Sequence, residues 1–92
     1  MVENYILDDV YKNLKNSIDE FDEKYNEFIR MLQFTHTLYT VQKNLESATQ
    51  YSENAYDSLI EMKKLMNKIV SLSEDYIGEI QDEYLIMSEE SI

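Results

Sequence analysis

The chain is predicted to be all-α: an antiparallel helical hairpin, or a short three- to four-helix bundle, with coiled-coil-like packing. Three observations carry this expectation. Its 92 residues include no proline and a single glycine, so little in the sequence interrupts a helix. Apolar residues recur in alternating steps of three and four almost from end to end, the spacing that gathers side chains on one face of an α-helix. No segment alternates apolar and polar residues between turn signals, as a strand would.

The first helix is expected over about residues 4–33. Its stripe reads Leu7, Tyr11, Leu14, Ile18, Phe21, Tyr25, Phe28 and Leu32. Asp8 and Asp9 suit its opening turns, where the helix dipole favours negative charge. The stripe then slips before Leu38, at Phe34-Thr35-His36-Thr37. β-Branched and polar residues cluster there, and the slip has two physical readings: a tight turn between antiparallel helices, or a stutter-type discontinuity within a continuous helix. Of the two a turn is expected, over about 34–37, with Thr35 or Thr37 as the next N-cap.

The second helical region is expected over about 38–87. Its stripe runs through Leu38, Val41, Leu45, Ala48, Ser52, Ala55, Leu59, Met62, Met66, Ile69, Ser73, Tyr76, Ile80 and Met87. Such a length cannot pair with a 30-residue helix unless it breaks. Two breaks are expected. The first is the polar, small-residue stretch 47–54, although its inward Ala48, Ser52 and Ala55 would equally suit close helix packing. The second is 71–74, where Ser71-Leu72-Ser73-Glu74 has the spacing of a capping box shortly before Gly78.

The chain reads as one acidic helical domain spanning residues 1–92. At this size a single core is modest, so burial between chains would add stability, and a homodimer is expected. There is no cysteine, hence no disulfide framework and no thiolate metal site. The net charge is −11, which opposes direct binding to nucleic-acid phosphates and favours partners with a basic surface. Seven acidic and no basic residues fall within 73–92, so the C-terminal end carries most of the field. No signal-peptide pattern or membrane-spanning run is visible, which predicts a protein of the cytoplasm of its producing or host cell, with no membrane role.

Chemistry-bearing motifs are absent from the sequence. One histidine, His36, stands without the Glu-x-x-His pairs of a bundle di-metal site. Asp19-Glu20-Phe21-Asp22-Glu23 lacks the central glycine and ligand spacing of an EF-hand. No glycine-rich elbow or phosphate-cradling loop exists. The expectation is a non-enzyme with no catalytic, cofactor-binding or metal residues. Lys63, Lys64 and Lys68 form the sole basic cluster, read as balancing acidic neighbours.

Two groups are candidate partner contacts. Tyr51 and Tyr56 flank the neutral middle of the chain, and tyrosine is enriched at binding hot spots. Glu79, Asp82 and Glu83 lie on either side of Ile80 in the acidic end. The leading functional expectation is a protein–protein interaction module, an assembly factor or adaptor whose apolar stripe completes a bundle with a partner. An alternative is an acidic phage or viral anti-defence inhibitor, whose carboxylates occupy a basic nucleic-acid-binding site by charge mimicry. A further alternative follows from length: helical hairpins of about this size are exported by ESX-type secretion systems. Those carry Trp-x-Gly in their turn, whereas this chain has no tryptophan and no glycine near 34–37.

Overall fold

A computed structural model describes the backbone of residues 2–90 and the side chains of residues 7–88. Two helices account for nearly all of it, α1 (Val2–Thr40) and α2 (Leu45–Glu90). They pack along their length as a hairpin. Tyr11 meets Tyr76, Lys24 meets Glu61, and Phe34 meets Tyr51. As one number rises the other falls, so the pairing is antiparallel. The rod measures 71 × 20 × 15 Å, with a radius of gyration of 20.7 Å. A compact chain of this length would have a radius near 12 Å.

The hairpin is the expected architecture; a third or fourth helix does not arise within the described residues. The turn lies at 41–44, not at 34–37. Two local causes explain the difference. The Thr35 hydroxyl donates to the Met31 carbonyl at 2.7 Å, so this β-branched residue bonds back onto its own helix. Thr35 and Leu38 also face the partner helix and are only partly exposed. His36 is therefore exposed on a continuous helix rather than placed in a turn.

The chain reverses seven residues later than expected, through backbone geometry. Lys43 adopts the left-handed conformation (φ 51°), and the Asn44 amide donates to the Leu38 carbonyl at 2.9 Å. Asn44 then caps α2. Its Oδ1 accepts the Ser47 amide at 3.1 Å, and its carbonyl accepts the Ala48 amide. This is the bonding of an N-cap, supplied by Asn44 and not by Thr35 or Thr37.

Neither expected break in the second helix occurs, because both stretches lie on the seam. Ala48 and Ala55, at 4% and 3% exposure, let the helices approach closely beside the turn. Thr49 and Ser52 bond their hydroxyls back to helix carbonyls. At the second stretch Ile69, Leu72 and Tyr76 keep contact with α1, so the Ser71–Glu74 spacing is not used to start a helix.

The seam follows a strict seven-residue repeat. In α1 the inward residues are Leu7, Leu14, Phe21, Phe28 and Thr35, alternating with Val10, Ser17, Lys24, Met31 and Leu38. Naming these positions a and d, α2 contributes Ala48, Ala55, Met62, Ile69 and Tyr76 at a, with Ser58, Leu65 and Leu72 at d. This is the 3.5-residue period of a left-handed coiled coil. Apart from Leu38, which takes a d position at the end of α1, the expected stripe and the seam therefore share their a positions only. Every alternate member of the expected α1 stripe, from Tyr11 to Leu32, faces outward instead.

Candidate partner-binding interface

The residues beside the a positions, called e here, occur at the same interval. On α1 they are Tyr11, Ile18, Tyr25, Leu32 and Tyr39. On α2 they are Leu45, Ser52, Leu59, Met66, Ser73, Ile80 and Met87. In an antiparallel pair the e positions of both helices fall on the same flank. The side-chain contacts agree: the Tyr11 ring lies 5.8 Å from that of Tyr76 across this edge. Thr35, Tyr39, Leu45, Ala48 and Ser52 also line one shallow groove near the turn.

None of these twelve positions is charged. Ten hold large apolar or tyrosine side chains, and all of these but the half-buried Leu59 are exposed, for example Tyr11 at 50%, Ile18 at 47% and Ile80 at 43%. The opposite flank, beside the d positions, differs in chemistry. It presents Asn13, Glu20, Glu27 and Phe34 from α1, and Ser47, Asn54, Glu61, Lys68, Asp75 and Asp82 from α2. One side of the rod is thus uncharged and mostly apolar, interrupted by Ser52 and Ser73, and the other is polar except for Phe34.

The intrachain core is correspondingly thin. Its buried apolar members are Ala48, Ala55 and Met62, joined by Ser17 at 1% and Ser58 at 8% exposure. The Ser58 hydroxyl donates to the Met31 sulfur at 3.7 Å. Lys24 occupies a seam position, where its Nζ lies 3.0 Å from Glu61 and 3.7 Å from Glu27. The hydrogen bond that Lys24 donates to Glu61 and the two nearby carboxylate charges raise the Lys24 pKa above its ordinary 10.5.

Total accessible surface is 7472 Å². A compact monomer of 11.0 kDa would expose about 5,600 Å². The difference of about 1,900 Å² measures how much more surface this rod leaves to water than a globule of its mass.

The expected site residues fall in three places. Tyr51 is at a d position, stacked on Phe34 at 5.8 Å and 27°, and 40% exposed. Tyr56 is 62% exposed, about 140° further round the helix at 100° per residue. The two tyrosines therefore do not form one patch. Glu79, Asp82 and Glu83 do come together, lining a small surface groove with Leu7 and Ile86 at the open end of the hairpin. The flank residues Ile18, Tyr25 and Leu32 were not singled out as contacts from the sequence. Their signal was an apolar stripe broader than one seam, which reads as core until the seam itself is located.

Among the described residues no cluster of histidine, cysteine, aspartate or glutamate has metal-binding geometry. No described helix is long and apolar enough to cross a membrane. No protein-family model, curated protein or solved structure matches the chain.

Proposed function

We propose that this protein is a non-enzymatic interaction module that binds helical partners along its apolar flank. The observation carrying this reading is the third apolar stripe. A two-helix seam needs only a and d positions; helices facing a larger bundle carry an apolar e or g position as well. Both helices here carry apolar e positions, on the same flank, over the full rod. Large apolar patches of this extent mark interaction surfaces. The flank is about 71 Å long; at one interhelical spacing, about 10 Å wide, its footprint is roughly 700 Å². That is close to the ~800 Å² per partner of a standard stable interface. The partner chemistry that fits is another amphipathic helix or helix pair, whose apolar side chains interdigitate with the stripe.

The test is site-specific photo-crosslinking in cells that make the protein. A benzophenone side chain replacing Tyr25, on the apolar flank, should give discrete protein adducts. The same group replacing Asn54, on the polar flank, should give few. Equal labelling from both sites, or labelling from Asn54 alone, would refute the assignment.

A second reading rests on the distribution of charge. Residues 7–14 and 72–88, which pair at the open end, hold seven acidic and one basic residue, net −6. Residues 15–71 hold nine acidic and seven basic, net −2. This end, with Glu79, Asp82 and Glu83 adjacent, would suit a basic cleft and act by charge mimicry. Affinity for a cross-linked partner should then fall with salt, and after changing the three residues to glutamine or asparagine. Unchanged affinity of that variant at low salt removes this reading.

A further inference from the structure

We propose that the occupant of the apolar flank is a second copy of this chain, docked flank to flank with the two turns at opposite ends, giving an antiparallel four-helix bundle. The inference rests on the flank being the binding face and adds what covers it. Three observations favour a copy. First, the required partner is a rod about 71 Å long with an uncharged apolar edge of seven-residue period, and this chain presents that edge. Second, the flank footprint of roughly 700 Å² per chain gives about 1,400 Å² for the pair, within the ~1,200–2,000 Å² total of a specific, stable interface. Third, the register closes on itself.

The register follows from the stripe. A two-fold axis perpendicular to the rod and passing Met66 lies at the mid-length of α2 (Leu45–Glu90). It sets Met66 against Met66 of the second copy. Moving outward by sevens, Ser73 meets Leu59 and Ile80 meets Ser52. Large side chains thus oppose small ones on both sides of the axis, the interlocking that packed layers need.

Charge selects this orientation over the one with both turns at the same end. Residues 7–14 and 72–88 carry net −6 and the remaining two-thirds of the described rod net −2. Same-end docking would stack the two −6 ends on one another. Opposite-end docking lays each against the weakly charged portion of its partner, and like-charge juxtaposition across an interface is costly.

The apolar tips are consistent with this geometry. Tyr84, Leu85, Ile86 and Met87 are consecutive helical residues, 70%, 58%, 54% and 62% exposed. They are apolar all round the helix, which is the character of a buried segment. In the proposed dimer Met87 reaches Leu45 of the second copy, itself 64% exposed beside the turn.

The experiment is light scattering on the purified full chain at micromolar concentration, combined with a single cysteine at Met66. The expected mass is twice 11.0 kDa. Ile18→Glu with Ile80→Glu should halve it while circular dichroism stays helical. Met66→Cys should oxidise to a covalent dimer, because the axis brings the residue to itself; the chain has no other cysteine. Same-end docking would put the two Met66 residues on diagonal helices, so a dimer without this crosslink overturns the orientation. A wild-type monomer overturns the second copy; flank adducts of another protein from Tyr25 would then leave the binding-module reading standing. A dimer that survives the flank substitutions overturns both. The crosslink remains decisive if the double variant fails to fold.

Discussion

Gly78 offers a direct check on which surfaces of the hairpin face water. It is the one glycine of the chain, within α2 and with ordinary negative φ. A Cβ built at this position meets no atom within 4 Å. Gly78→Ala therefore adds a methyl into open space and removes a helix-disfavouring residue. Glycine costs about 0.8–1.0 kcal/mol relative to alanine in a helix interior. Part of that arises because alanine narrows the unfolded ensemble. At about 2.1 cal/mol/K per residue, 92 residues have an unfolding entropy near 190 cal/mol/K, so ~1 kcal/mol raises Tm by about 5 °C. Thermal unfolding followed at 222 nm measures this, at one fixed protein concentration because association shifts Tm. An unchanged or lowered Tm would refute the reasoning, since it would mean that another chain packs against Gly78.

Three further outcomes follow from the fold. Met62 is the largest of the buried apolar residues, at 8% exposure, and Met62→Ala should cost ~2–5 kcal/mol in urea unfolding; a loss below about 0.5 kcal/mol, the surface range, would show that the seam lies elsewhere. Asn44→Ala removes the acceptor of the Ser47 amide and should cost ~1 kcal/mol, while an unchanged midpoint would mean another group caps α2. The Lys24 pKa is raised above 10.5 by its hydrogen bond with Glu61, so the stability it contributes is fully present below 10.5 and is lost as pH rises through the higher folded value. The difference between wild type and Glu61→Gln should accordingly be constant near neutral pH and shrink in strongly alkaline buffer; a difference that grows there would contradict the sign.

Much of the architecture was legible because it depends on what the chain lacks. Without proline, and with one glycine, the helices extend until a specific device stops them. That device was legible only in part. Asn44 is a good N-cap by type, but Asn13, Asn16, Asn26, Asn54 and Asn67 are of the same type and cap nothing, being inside helices. What distinguishes Asn44 is the left-handed Lys43 before it, and lysine gives no sequence signal for that conformation. The false turn at 34–37 and the false break at 47–54 share one cause. Clustered threonine and serine point to a helix break on propensity alone, yet Thr35, Thr49 and Ser52 bond their hydroxyls to carbonyls three or four residues back. Whether such a residue competes with the helix or joins it depends on neighbouring packing.

The candidate interface was present in the sequence in an unexpected form. The most regular stripe joins a to e positions, whereas the intrachain seam joins a to d. In a 3.5-residue repeat d and e lie about 50° on either side of a, so the strongest apolar direction of each helix points away from the other helix of the hairpin and toward the flank. A chain whose only burial was its own hairpin would have no reason to keep Ile18, Leu32, Met66 and Ile80 apolar at 42–47% exposure. Substituting polar residues there would cost such a hairpin little and would improve its solubility. In a four-helix bundle the same positions complete the core, and a and e together face the bundle interior. The tilt of the stripe relative to the seam is thus the quantity that separates a self-sufficient hairpin from half of a larger assembly, and in this chain both helices tilt toward the same side.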